Sequence, residues 1–303
     1  MRFVRNLYLR HLQLSWSGAL PEVRSGTGST GATADSLPRD PPHRLARALR
    51  QIAAKTPIAP ILREPRASST QETQLLYGHC ADVLGAEGLW LNVRGPGGYE
   101  GWVHEGYTAP CEKEKFIEWA WDIPGEISMG CSIRDSQGAT LDLPLGAVVG
   151  EGHVIAGRTM DLAHRRAMFP PTTDAIISSA SALFQGTYYQ WGGITPWGAD
   201  CSGMIQSIFA LHGIHLLRDA WQQATQGVAV DCSLEEARPA DLLFFTDRED
   251  GHITHVAMAV GNAQAVHIAL GRGGHCVESF SRPDEYTRAL AERFRFVRRI
   301  VAS

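Results

Sequence analysis

A cysteine at the head of a helix, followed by two histidines on neighbouring strands, is a set of residue types able to carry out acyl transfer through sulfur. In Asp200-Cys201-Ser202-Gly203-Met204-Ile205-Gln206-Ser207-Ile208-Phe209-Ala210-Leu211, the positions Met204, Ile205, Ile208, Phe209 and Leu211 recur at the spacing of one apolar helical face, and Gly213 suits the exit. The spacing predicts a helix that opens at Cys201. There, unpaired N–H groups and the positive end of the helix dipole favour a thiolate, the form of sulfur that attacks carbonyls.

A thiolate needs a base. His255 lies in the strand pattern of residues 253–260, which ends at the turn signal Gly261-Asn262, and His267 lies on the returning run 265–269. With a loop of Gly261-Asn262-Ala263, Val260 pairs with Gln264 and His267 falls opposite Ala257, so the two imidazoles share a face as diagonal neighbours, ~7–8 Å apart at Cα. A two-residue turn alone would put them on opposite faces, so an odd loop or a bulge is expected. Cys201 then attacks, His255 takes its proton and later protonates the leaving amine, and His267 fixes the tautomer and orientation of His255. Two histidines and a cysteine are also a zinc ligand set. No fourth ligand stands out, although His252 and Asp250 are close in sequence, and a buried structural cysteine with hydrogen-bonded strand histidines is the ordinary alternative. On these residues alone catalysis and a structural role stay open, and neither a metal nor a cofactor is expected.

The elements that must position these residues lie in a chain of 303 residues, long enough for two or three domains. Its 44% hydrophobic and 20% charged residues are globular values, and no apolar run is long enough for a membrane span. A formal charge of -4 argues against general nucleic-acid binding, and the spaced Arg293, Arg295, Arg298 and Arg299 read as a solvated strand face. The six cysteines show no C-x-x-C pair, so the five other than Cys201 read as small apolar residues. The N-terminus lacks the apolar core of a secretory signal, which makes cytoplasmic residence the default expectation, with secretion as the alternative.

Residues 1–50 read as a disordered or loosely ordered leader, rich in Gly, Ser, Thr and Pro over 18–44, with structure expected from about Pro57. Short apolar runs at 58–63, 74–77, 82–84, 89–93 and 102–103, broken by turn signals, predict a small β-barrel over 51–109. A second barrel is expected over 110–169, from runs at 116–121, 128–134, 147–149 and 153–155. Phe169-Pro170-Pro171-Thr172 reads as a linker into a domain over 170–303. That domain begins with a helix over 174–184 and ends in strands at 241–245, 253–260, 265–270, 275–279 and 294–301. Helices followed by strands predict an α+β domain with an antiparallel sheet.

The segments Gly186-Thr187-Tyr188-Tyr189-Gln190-Trp191-Gly192-Gly193, Asp200-Cys201-Ser202-Gly203, Leu217-Arg218-Asp219-Ala220 with Gln223, Pro239-Ala240-Asp241-Leu242-Leu243-Phe244-Phe245, Thr254-His255-Val256 and His267 together resemble the NlpC/P60 family of cell-wall cysteine peptidases. The resemblance runs from about Thr173 to Val301. It implies a papain-like α+β fold with a Cys-His-His triad at Cys201, His255 and His267. Leu62-Arg63-Glu64-Pro65, Thr73-Gln74-Leu75-Leu76-Tyr77-Gly78 and Tyr99-Glu100-Gly101-Trp102-Val103 resemble the bacterial SH3-like barrel that precedes this domain in γ-D-glutamyl-L-diamino-acid endopeptidases of the dipeptidyl-peptidase VI type.

The resemblance implies a murein-peptide substrate with a free L-Ala amine. It implies that Asp200 pairs with that amine, Ser202 and Tyr189 contact the dipeptide or the oxyanion region, Asp219 shapes the pocket and Tyr99 closes its blocked end. The chain departs from its relatives at His79, where Glu is common after Leu-Tyr-Gly, at Tyr188 in place of Pro, and at Ala220 in place of a Ser. Two rival functions follow from the same motifs: a lytic D,L-endopeptidase acting on intact peptidoglycan, and a non-catalytic peptidoglycan-binding protein. Presence of all three triad residues argues against the second.

Overall fold

The computed structural model describes residues 51–111, 125–135, 138–150 and 153–301. The leader expected over 1–50 and the strand expected over 116–121 lie outside them. Strands begin before Pro57. β1 (Gln51–Ala54), β2 (Ile58–Leu62), β3 (Gln71–Leu76), β4 (Cys80–Glu87), β5 (Trp90–Arg94), β6 (Glu100–His104) and β7 (Thr108–Pro110) form an antiparallel sheet in the order β3-β2-β6-β5-β4-β1-β7. Alternate residues point inward, with Ile52 and Ala54, Ala59 and Ile61, and Leu91 and Val93 meeting Leu75, Ala81 and Val103 in one core.

The next strands are β8 (Glu126–Arg134), β9 (Thr140–Leu143), β10 (Val148–Val149) and β11 (Val154–Met160), with β8 pairing to each of the other three. Leu76 of β3 packs with Cys131, Ile133, Leu143, Ala147 and Val149. His79 is buried here with Nε2 3.0 Å from the Gly146 carbonyl. A helix, α1 (Leu162–Met168), precedes the expected linker. Its sequence carries no broad apolar stripe, and only Arg165 is buried, donating to the Ala210 carbonyl at 2.9 Å.

The remaining chain adds α2 (Thr173–Leu183), β12 (Ile194–Thr195), β13 (Gly198–Ala199), α3 (Cys201–Leu211), α4 (Ala220–Gln223), β14 (Val228–Val230), β15 (Leu242–Phe245), β16 (His255–Gly261), β17 (Gln264–Ala269), β18 (Gly274–Ser279), α5 (Glu285–Glu292) and β19 (Phe294–Arg299). The main sheet runs β14-β19-β15-β16-β17-β18, with every pairing antiparallel. One face meets α3 and α2 through Leu242, Phe244, Val256, Met258, Val266 and Ile268. The other carries Leu243, Phe245, Ala257, Ala259 and Ala265 against Leu290 of α5. Burial on both faces explains why 253–260 alternates so imperfectly in sequence. Among the described residues, no helix is long and apolar enough to cross a membrane.

Of the five cysteines read as small apolar residues, only Cys131 is buried. Cys80 and Cys111 face each other, Sγ to Sγ at 2.7 Å, and Cys276 pairs across strands with His267.

Candidate active site

Helix α3 opens at Cys201 and closes at Leu211, followed by Gly213 at φ 76°. Asp200 is its N-cap. Asp200 Oδ1 accepts from Gly203 N at 2.7 Å, Arg218 Nη1 at 3.0 Å and Ser202 Oγ at 3.2 Å, while Oδ2 accepts from Gly192 N at 2.9 Å and Arg218 Nη2 at 2.7 Å. A carboxylate has about four lone-pair sites, so five donors saturate it. The expected pairing of Asp200 with a substrate amine therefore gives way to an internal ion pair with Arg218, itself only 4% exposed. Ser202 is turned inward too: its Oγ donates to Asp200 and accepts from Arg218 Nη1 at 3.0 Å. Gly203 is required by close approach, since a Cβ there would sit 2.0 Å from the Gly193 carbonyl oxygen. The two motifs Gly192-Gly193 and Ser202-Gly203 are thus two sides of one contact.

The histidines meet as their parity requires. Met258 pairs with Val266, Ala259 with Ala265 and Gly261 with Gln264, so the turn is the two residues Asn262-Ala263, both at positive φ, and Val260 is the bulge that restores the register. His255 Nε2 lies 2.7 Å from His267 Nδ1. That contact leaves Nδ1 as the free nitrogen of His255. Val256, the next residue, directs its backbone N–H at the Cys201 sulfur, and Cys201 and His255 line the same cavity.

Electrostatics change the expected resting state. Burial, reinforced by the Asp200 carboxylate, pushes the Cys201 thiol up to about 12, against the N–H groups of Val256 and Ser202 and the charge of Arg218. His255 is held well below its ordinary value, first by burial and then by His267 and Arg293. Desolvation outweighs the helix dipole here, so each group alone prefers its neutral form. The charged pair is reached by moving one proton from sulfur to imidazole inside the site.

The cavity, of about 750 Å³, runs from Cys201 and His255 past Tyr189, Trp191 and Trp221 to Glu72 and Asp219. At that acidic end the Tyr99 hydroxyl lies 3.3 Å from Asp219 Oδ2 and 3.4 Å from Glu72 Oε2. Asp219 is half-buried at the head of α4; burial raises its carboxyl above the usual range, opposed by Arg218 and Tyr99 and aided by Asp200 and Glu72. Burial likewise drives the Tyr189 phenol well up, with Cys201 and Asp200 adding to it, so its hydroxyl remains a proton donor beside the sulfur. The barrel is fastened to this end by Arg218 Nε donating to Thr73 Oγ1 at 3.1 Å and Gln71 Nε2 donating to the Trp191 carbonyl at 2.9 Å.

All eight residues singled out in the sequence thus come to one region, with Asp200 and Ser202 facing Arg218 and with Tyr189, Asp219 and Tyr99 at the open side. Glu72, Arg218 and Glu278 were not singled out. Glu72 and Arg218 stand within the barrel and Leu-Arg-Asp-Ala segments, but nothing in the sequence marks Glu72 as a neighbour of Asp219, or Arg218 as the partner of Asp200. As for a metal, His267, Cys276 and Glu278 bring one donor atom each within 4.8 Å. They fit poorly: Glu278 is already held by Arg272 and Thr287, and burial, with Glu278 beside it, pushes the Cys276 thiol up to about 12.

Residues 186–290 match the NlpC/P60 family profile and residues 61–109 that of a bacterial SH3 domain. The chain is similar to the gamma-D-glutamyl-L-lysine dipeptidyl-peptidase of Bacillus subtilis (strain 168), 31% identical over 221 residues that cover 65% of this chain and 71% of that one. Against the protein of the same description from Bacillus cereus (strain ATCC 10987 / NRS 248) the identity is 28% over 237 residues, covering 65% and 66%. The chain spans about two thirds of the length of these relatives. The crystal structure of an NlpC/P60 family protein from Bacillus cereus ATCC 10987 superposes with a TM-score of 0.67 at 20% identity, over 83% of this chain and 100% of that one, a likeness of fold.

Proposed function

The chain belongs to the NlpC/P60 family, and we propose that it is a cysteine endopeptidase that cuts the bond between γ-D-Glu and the L-diamino acid of soluble murein peptides whose L-Ala amine is free, in cytoplasmic cell-wall peptide recycling. The observation that carries the substrate is the pair of carboxylates, Glu72 and Asp219, converging on the Tyr99 hydroxyl at one end of the cavity that contains Cys201. Two carboxylates in a half-buried corner repel one another and favour an ammonium between them. Asp219, with Glu72, takes the role expected of Asp200. The names of the two relatives, both dipeptidyl-peptidases acting at γ-D-glutamyl-L-lysine, support the same substrate class.

In this mechanism Cys201 attacks the γ-carbonyl of D-Glu as its proton passes to His255 Nδ1. His255 returns that proton to the departing α-amine of the diamino acid, leaving a thioester on sulfur. Water, losing a proton to the same nitrogen, then attacks the thioester; the C–S bond breaks, L-Ala-γ-D-Glu is released and the proton passes from His255 back to the Cys201 sulfur. The Tyr189 hydroxyl, which lines the same cavity as Cys201, is assigned to the developing oxyanion as its side-chain donor. Tyr99 stands beyond the amine, where an intact stem would continue toward sugar, which favours free peptides over polymeric wall.

Incubation with L-Ala-γ-D-Glu-meso-diaminopimelate and its N-acetylated form tests this. Release of L-Ala-γ-D-Glu from the free-amine peptide alone, abolished in Cys201→Ala, is expected. Equal cleavage of both peptides removes the amine requirement, and no cleavage of either under reducing conditions removes the peptidase.

A further inference from the structure

We propose that Glu278, a buried residue outside the triad, is a positioning residue that selects the productive tautomer of the His255–His267 pair. Its basis is the cysteine-peptidase chemistry proposed above. Glu278 lies in β18 two residues beyond Cys276, the cross-strand partner of His267, which makes it a diagonal neighbour of His267 on the same face. His267 Nε2 stands 3.4 Å from Glu278 Oε1, and neither side chain reaches solvent, at 0% and 3% exposure.

The proton inventory runs outward from sulfur. His255 can accept from Cys201 only if its Nδ1 is bare, and then its proton sits on Nε2, pointing at His267 Nδ1 2.7 Å away. His267 Nδ1 must accept that proton, so His267 carries its own on Nε2, pointing at Glu278. A carboxylate only accepts hydrogen bonds. With Glu278 ionised, the other His267 tautomer would set two lone pairs against each other at Glu278 and two N–H groups against each other at His255. One charge thereby fixes both rings.

Two side chains hold Glu278 in that form. Arg272 donates from Nε to Oε1 at 2.7 Å and from Nη2 to Oε2 at 2.8 Å, and Thr287 of α5 donates to Oε2. Arg272 is itself pinned by Asp284, the N-cap of α5, and by the Tyr286 ring 4.4 Å from its guanidinium carbon. Burial pushes the Glu278 carboxyl up, but hydrogen bonds from His267, Arg272 and Thr287 outweigh it and hold the group well below the usual range. The 3.4 Å contact is long for a neutral hydrogen bond, so the carboxylate acts as a fixed charge orienting a dipole more than as a tight acceptor. The orienter His267 thus has a carboxylate behind it.

The test reads tautomers and rates separately. Long-range 1H–15N spectra of the histidine-labelled, unaltered protein should show His267 as the Nε2–H form, assigned by its loss in His267→Asn, and this readout needs no turnover. Glu278→Gln should mix the tautomers and lower kcat by roughly ten- to hundredfold with KM unchanged. In a His267→Asn background, where the amide oxygen accepts from His255 whatever residue 278 is, the same Glu278→Gln change should add less than about twofold. An Nδ1–H His267 in the unaltered protein overturns the proposal, as does an equal cost of Glu278→Gln in both backgrounds. Failure of the parent protein to cleave any peptide would count against the peptidase function and leave the tautomer result standing.

Discussion

Asp219→Asn isolates the contribution of the acidic corner. Asparagine keeps the size of the side chain and remains a good N-cap for α4, where Gln222 Oε1 accepts from residue 219 N at 2.9 Å, so the fold should be preserved. What is lost is one charge facing the substrate ammonium. A hydrogen bond to a charged group contributes ~1.5–3 kcal/mol, and Asp219 is only half-buried and shares its task with Glu72, which is tied to Arg63. A loss of about 2 kcal/mol, roughly thirtyfold in kcat/KM, follows for the free-amine peptide. The N-acetylated peptide has no charge to lose, so its residual rate should not fall, and the preference between the two should shrink by the same factor. Initial rates on both peptides, read by chromatography, give the comparison directly. Equal losses on both, with an intact melting transition, would show that Asp219 supports the site without reading the amine.

Three further outcomes follow from burial and charge. Because His255 is depressed in the folded protein, the acid limb of kcat/KM should have its midpoint below 6.5, where His255 protonates; a midpoint at or above 6.5 would contradict its buried setting. Arg218→Met leaves Asp200 as an uncompensated buried carboxylate and should cost about 3–5 kcal/mol in urea unfolding, whereas a loss under 1 kcal/mol would mean the pair is effectively solvated. His79, lowered by burial to about 4 against the pull of the Gly146 carbonyl, contributes stability that is present above its unfolded value of 6.5 and lost as pH falls through about 4. His79→Gln should therefore flatten the acid stability profile by about 3 kcal/mol between those limits, and an unchanged profile would refute the assignment.

The sequence carried most of the catalytic half because its signals are local. The apolar face of 201–211 gave a helix with the observed ends, and the parity of His255 and His267 demanded the irregularity that Val260 supplies. What was not legible depends on contacts between distant segments. Asp200 looked free because its saturating donors come from Gly192, eight residues back, and Arg218, eighteen residues on. Glu72 and Glu278 each sit in a strand whose alternation gives a face but not what meets it. Helices α1 and α5 were missed for a different reason: both are short, and their charged residues mask the few apolar positions that pack, such as Leu290.

The central claim, that Cys201 takes the γ-glutamyl group from a peptide with a free amine, is tested most directly by trapping the acyl-enzyme. Rapid acid quench during turnover of L-Ala-γ-D-Glu-meso-diaminopimelate, followed by peptide mass mapping, should find the L-Ala-γ-D-Glu acyl group on the peptide containing Cys201, and none after the N-acetylated substrate. Turnover with no adduct under single-turnover quench, or an adduct on another residue, would contradict it.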